Sequence, residues 1–163
     1  MCRHWEMRGE DMETLIDINL IDLTLQAENK DEVVRKMVDM LDAAGVLISK
    51  KGYLDDVFTR EELGTTGFGM GLAIPHGKSD HVRRTAVSIA RLIQPIDWNS
   101  LDGQPVNLVF LLAVPRSESD STHLFVISQL ASQLIDEEFR QKLCQAQDAQ
   151  DIIELIKFNG VIK

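Results

Sequence analysis

The segment Thr65-Thr66-Gly67-Phe68-Gly69-Met70-Gly71-Leu72-Ala73-Ile74-Pro75-His76-Gly77-Lys78 gathers residue types with chemical use. Three alternating glycines permit backbone conformations closed to other residues and a close approach by another molecule. They precede a short apolar strand and a Pro-His-Gly turn. Pro75 stiffens the chain directly before His76. Gly77 is expected to leave the imidazole uncovered on its C-terminal side, which suits a side chain that meets a large partner rather than a small dissolved substrate. Neutral imidazole is nucleophilic near pH 7, its ordinary pKa being about 6.5, and its phosphoramidate remains an energetic donor to a further acceptor. These properties suit a histidine so placed to phosphoryl relay.

A transferring phosphoryl group passes through a loose transition state with charge on its equatorial oxygens, so the protein must position it and supply donors. Arg60 and His123 are the candidates. Ser117, Ser119, Asp120, Ser121 and Thr122 offer N-caps that place His123 in the first turn of a helix, where anions are favoured. His123 also follows the end of a strand by a short polar loop, a common ligand position in α/β sheets. Other chemistries fit less well. Gly67-x-Gly69 is followed by Leu72 where a dinucleotide fingerprint needs its third glycine, and Lys78 stands too far from Gly71 for a P-loop. His76 and His81 lack the spacing and companion ligands of a zinc site. His81 reads as a solvent-facing loop residue, and no metal or cofactor is expected.

The elements that must position these residues follow from periodicity. Asn29 is a good N-cap with Glu32 three residues later; Val33, Met37, Leu41 and Ala44 share one helix face, and Gly45 ends it. A second helix is expected over about Lys50 to Leu63, with Leu54, Val57 and Phe58 on its apolar side and Arg60, Glu61 and Glu62 on its polar side. Ala86 to Ile93 and Val106 to Val114 read as core strands, the latter covered on both faces. Helical period returns with Leu124, Ile127, Ala131 and Leu134, then Phe139 and Leu143, then Ile152, Leu155 and Ile156. The fold class expected is α/β, a single mixed β-sheet flanked by helices on both faces.

The 163 residues and 44% hydrophobic composition suit one domain with a sizeable core. Residues 1–12 show no helical or strand period and are expected to be a disordered extension, with the domain over 13–163. No apolar run approaches the ~20 residues of a membrane span, so a cytoplasmic protein without membrane insertion is expected. Cys2 and Cys144 read as free thiols. A formal charge of −9, from 26 acidic and 17 basic residues, opposes a nucleic-acid footprint and is compatible with a basic protein partner.

The stretch Gly67 to Lys78, with Gly-Leu-Ala-Ile-Pro-His-Gly at its core, resembles the active-site signature of the fructose/mannitol class of enzyme IIA domains of the sugar phosphotransferase system. The similarity runs from about Leu15 through Arg60-Glu61, Ile96-Asp97-Trp98, Leu101-Asp102-Gly103 and the Val106 to Val114 strand to His123-Leu124. The resemblance implies that His76 accepts a phosphoryl group from the phosphocarrier HPr and passes it to a cysteine of an enzyme IIB domain, with only indirect association with the membrane through a sugar permease. It implies further that His123 and Arg60 ligate the phosphoryl group. Met70 stands where related sequences carry Asn or Glu, removing a side chain able to orient an active-site group. Two other roles are compatible with the same residues: a regulatory enzyme IIA of a nitrogen-linked phosphorelay, and a protein-interaction module that no longer transfers.

Overall fold

A computed structural model describes residues 15–117 and 120–158, with the backbone alone for 120–124, 157 and 158. The extension expected over 1–12 lies outside the described residues. After a 3-10 turn at Ile18–Leu20, the chain forms β1 (Ile21–Leu25), α1 (Lys30–Ala43), α2 (Lys50–Glu62), β2 (Gly67–Gly69), β3 (Leu72–Ala73) and β4 (His76–Ser79). It continues through β5 (Ala86–Ile96), β6 (Val106–Pro115), α3 (Asp120–Leu134), α4 (Glu137–Gln145) and α5 (Ala149–Phe158). The sheet is mixed, in the order β1-β5-β6-β3-β2, and β4 pairs with β6 on the edge that β3 also uses. β5 and β6 run antiparallel, whereas β1 lies parallel to β5, and β3 and β4 lie parallel to β6.

The unbroken apolar character of β6 is explained by cover on both sides. Val109, Leu111 and Ala113 face α1 and α2 together with Ala86 and Ala90 of β5. Leu108, Phe110, Leu112 and Val114 face α3, α4 and α5 with Val87 and Ile89. Two polar residues of β5 are satisfied by distant carbonyls: the Ser88 hydroxyl donates to the Leu20 carbonyl at 3.0 Å, and Arg91 donates to the carbonyls of Leu143, Cys144 and Ala146, closing the end of α4. No helix among the described residues is long and apolar enough to cross a membrane.

The helix starts behave as their sequences dictate, with instructive shifts in detail. Asn29 Oδ1 accepts the Glu32 N–H at 2.9 Å, while Glu32 reaches past the cap to the Glu28 N–H at 3.0 Å. In α2 the fully buried face is led by Tyr53 and Val57, with Leu54 and Phe58 only partly buried, and Glu61 is buried rather than on a solvated side. In α3 the buried line is Val126, Leu130 and Leu134, one residue off the expected line at Ile127 and Ala131.

Candidate active site

His76 opens a strand; it does not sit in a turn. β3 pairs Leu72 with Leu108 and Ala73 with Val109, and β4 resumes on the same edge with His76 opposite Leu112. Between them Ile74 turns its N–H to the Thr66 carbonyl (3.1 Å), and Pro75, which has no N–H to give the ladder, accepts from the Leu112 N–H at 3.0 Å. The break carries a chemical consequence. It aims the Ile74 carbonyl at His76, whose Nδ1 lies 2.9 Å from that oxygen. A carbonyl only accepts, so Nδ1 carries the hydrogen, and in the neutral ring the lone pair resides on Nε2. Burial lowers the imidazole below the ordinary histidine value; the Ile74 carbonyl opposes this, Arg60 adds to it, and Glu61 opposes it. The ring is thus neutral at pH 7 with a defined nucleophilic atom.

Burial alternates along β4, so that Gly77 and Ser79 point inward while His76 and Lys78 are half-buried. Gly77 therefore does not uncover the imidazole. A Cβ there would lie 3.4 Å from Val57 and 3.5 Å from Tyr53, so the glycine faces α2. Ser79 fixes the same helix by donating to the Asp56 carboxylate and accepts the His81 N–H at 3.0 Å. Behind the histidine, the Tyr53 hydroxyl, buried, donates to the Leu112 carbonyl at 2.9 Å. The expectation for His81 is also corrected: its ring is half-buried over Gly52, where an added Cβ would fall 2.3 Å from it.

His76, Arg60, Lys78, Arg116, Asp56 and Leu63 line a cleft of about 360 Å³. Arg60 uses one N–H to cap α2 through the Gly64 carbonyl at 2.9 Å. Arg116, just beyond β6, pairs with Asp80 at 3.3 Å and donates to the Lys78 carbonyl at 3.3 Å. Three cationic side chains thus share a cleft with the imidazole, an arrangement suited to holding an anionic group in transit. His123 lies in the first turn of α3, which follows β6 on the chain. Its side chain is outside the described residues, as are Glu118 and Ser119 of the polar run before it.

The glycine-rich segment builds a hairpin, not a cradle. Gly69 (φ 103°), Met70 (φ 58°) and Gly71 (φ 78°) all take left-handed conformations at its turn, and Asp102 accepts the Met70 N–H at 2.8 Å. That turn lies opposite Asn107, roughly 16 Å of strand from the residue paired with His76. Met70 is half-exposed there and shapes the hairpin rather than the imidazole. Lys78 and Arg116, which line the cleft, and Tyr53, which packs beneath β4, are residues that sequence reasoning missed. Lys78 was recoverable, because strand alternation places it on the face of His76 once Pro-His-Gly is read as the start of a strand. Among the described residues, no group of three or more His, Cys, Asp or Glu converges to hold a metal.

This geometry can be set beside known proteins. The family described as phosphoenolpyruvate-dependent sugar phosphotransferase system, EIIA 2 matches residues 14–159. The PTS system fructose-specific EIIABC component of Bacillus subtilis is 37% identical over 142 residues, covering 87% of this chain but 22% of that protein. The PTS system fructose-specific EIIA component of Haloferax volcanii is 32% identical over 146 residues, 90% of this chain and 94% of its own length. The crystal structure of nitrogen regulatory protein IIA-Ntr from Neisseria meningitidis superposes with a TM-score of 0.83 at 28% identity, covering 88% of this chain and 97% of that one. The matched stretch carries Arg60, His76 and the first turn of α3 together, and the chain belongs to the EIIA 2 family of the phosphoenolpyruvate-dependent sugar phosphotransferase system.

Proposed function

We propose that this chain is a phosphocarrier whose His76 Nε2 attacks the phosphorus of phospho-HPr, so that the donor's P–N bond breaks as the new P–Nε2 bond forms. The observation that carries this reading is the Nδ1–H to Ile74 carbonyl bond, which reserves Nε2 as the nucleophile in a ring kept neutral by burial. Arg60, with Lys78 and Arg116, meets the charge on the equatorial oxygens, and the family resemblance assigns His123 the role of a further donor. In the second step a cysteine thiolate of an enzyme IIB domain attacks the phosphorus and the imidazole leaves, serving uptake of a fructose- or mannitol-like sugar. The EIIABC composition of the Bacillus relative supports an acceptor of that kind. The reaction runs in the cytoplasm and needs neither metal nor cofactor.

A regulatory role in a nitrogen-linked relay is the second reading, favoured by the likeness to the Neisseria IIA-Ntr structure. Incubation with phosphoenolpyruvate, enzyme I and HPr, followed by intact mass measurement beside His76→Ala, tests the carrier role. An acid-labile gain of one phosphoryl group, lost in the variant, is expected. A gain only with the nitrogen-branch donor selects the second reading, and no gain with either donor overturns both.

A further inference from the structure

Glu61 is a buried carboxylate that the relay described above does not use. Its side chain is 6% exposed, and Lys30 at the start of α1 pairs with it at 2.7 Å. The Thr66 hydroxyl donates to its other oxygen, and the Trp98 indole N–H donates to that hydroxyl at 3.1 Å. Donor direction is therefore fixed from Trp98 through Thr66 to Glu61, which requires an accepting carboxylate oxygen at the end of the chain. Lys30 also stands 5.6 Å from the Trp98 ring centre. The backbone of the same Thr66 accepts the Ile74 N–H at 3.1 Å, and the carbonyl of Ile74 receives His76 Nδ1 at 2.9 Å. A continuous polar path thus joins an ion pair between two helices to the imidazole.

Resting on the carrier role of His76, we propose that Glu61 is a positioning residue for phosphoryl transfer: it anchors Thr66, and through it the Ile74 carbonyl that orients the ring, and it balances positive charge on the imidazole as Nε2 bonds to phosphorus. Attack by Nε2 puts positive charge into a ring whose Nδ1 keeps its hydrogen, and Arg60, which lines the same cleft, opposes that charge. Asp56 lies in the same cleft but binds the Ser79 hydroxyl. Glu61 acts on the imidazole in the sense opposite to Arg60, favouring its charged form. Lys30 pairs with the same carboxylate, so removing one or the other partner of the ion pair is expected to move the ring in opposite directions.

The experiment uses the full chain as Glu61→Gln, Lys30→Gln and Thr66→Val, with His76 titrated by imidazole NMR and single-turnover transfer from phospho-HPr followed by rapid quench. Glutamine keeps an accepting oxygen for Thr66 and removes the charge. Glu61→Gln is expected to titrate His76 at lower pH than wild type and to slow the saturating transfer rate about tenfold with the donor KM unchanged. Lys30→Gln is expected to move the His76 midpoint upward, which loss of folding cannot imitate. Thr66→Val is expected to slow transfer while leaving the charge contribution of Glu61 in place. Unshifted His76 midpoints in Glu61→Gln and Lys30→Gln, or a loss confined to KM, would overturn the proposal; should Glu61→Gln not fold, the sign of the Lys30→Gln shift decides alone. Absence of transfer in wild type would refute the carrier role, and the titrations would still decide the electrostatic part of this one.

Discussion

Replacing Tyr53 with Phe deletes one oxygen from the packing behind His76, and its effect can be worked from both sides of the bond it removes. The ring is fully buried, and its hydroxyl donates at 2.9 Å to the carbonyl of Leu112, the residue opposite His76 in the β4–β6 register. A neutral buried hydrogen bond contributes about 0.5–1.5 kcal/mol net, and a partner left unsatisfied costs about 1–3 kcal/mol. The Leu112 carbonyl has a second lone pair and a strand neighbour, so the loss should fall at about 1–2 kcal/mol. With a urea m-value of about 2 kcal/mol/M, the midpoint drops by roughly 0.5–1 M at unchanged m. Alkaline pH gives an independent readout. Burial, with Asp56 adding to it, raises the hydroxyl well above the usual tyrosine value of about 10. The native state therefore holds this proton after the unfolded chain has released it, and its contribution is present below about pH 10 and lost as pH rises beyond, at up to about 1.4 kcal/mol per pH unit. Tyr53 is the single tyrosine in the sequence, so tyrosinate absorbance during alkaline unfolding reports it directly. Wild type should lose stability above about pH 10 more steeply than Tyr53→Phe. A Tyr53→Phe midpoint within about 0.2 M urea of wild type, or parallel alkaline curves for the two proteins, would refute the reasoning.

Four further outcomes are expected. Because burial lowers His76 below the ordinary value of about 6.5, transfer from phospho-HPr should hold its rate down to that pH and fall only as the ring protonates below it; an acid limb centred above that value contradicts the assignment. The same shift makes the fold lose stability as pH falls from about 6.5 through the native value, a slope that His76→Ala should abolish. Arg60→Ala should slow acceptance by about 100-fold in rapid-quench assays, the scale of losing one donor to developing charge, with Arg60→Lys partly restoring it. Met70→Gly should raise thermal stability by about 0.5–1 kcal/mol, since Met70 holds φ 58° at an exposed turn, with transfer unchanged; a fall in transfer would mean that the hairpin reaches the site after all.

The α/β class, the first helix with its Asn29 cap and the core strand β6 were legible because each is set by local chemistry or by a long apolar run. What escaped reading depends on partners distant in sequence. Pro-His-Gly reads locally as a turn, yet Leu112 to Pro115 of β6 draw His76–Ser79 into a strand, and that pairing sets which side chains face the cleft. Tyr53 and Glu61 looked like ordinary helix residues because their significance lies in contacts with Leu112 and with Lys30 and Thr66. The buried line of α3 was displaced because Leu124, Ile127 and Ala131 satisfy helical period as well as Val126 and Leu130 do; the sheet surface beneath selects between them. Periodicity fixes that a face exists, and packing fixes which one.

Charge shows the same division between global and local information. A net charge of −9 suggests attraction to a basic partner surface, but at physiological ionic strength exposed charges are screened beyond about 8 Å, so what an incoming group meets is set by its immediate surroundings. Around His76 those are Arg60, Lys78 and Arg116 against Asp56, with Asp56 engaged by Ser79 and Arg116 paired with Asp80. The cleft that holds His76 is therefore locally cationic on an otherwise acidic chain. Wrong-sign surface elsewhere disfavours anionic ligands outside the cleft, so on the proposed carrier role composition and site act together: the acidic exterior narrows where an anion can settle, and the cations that share the cleft with His76 favour its settling there.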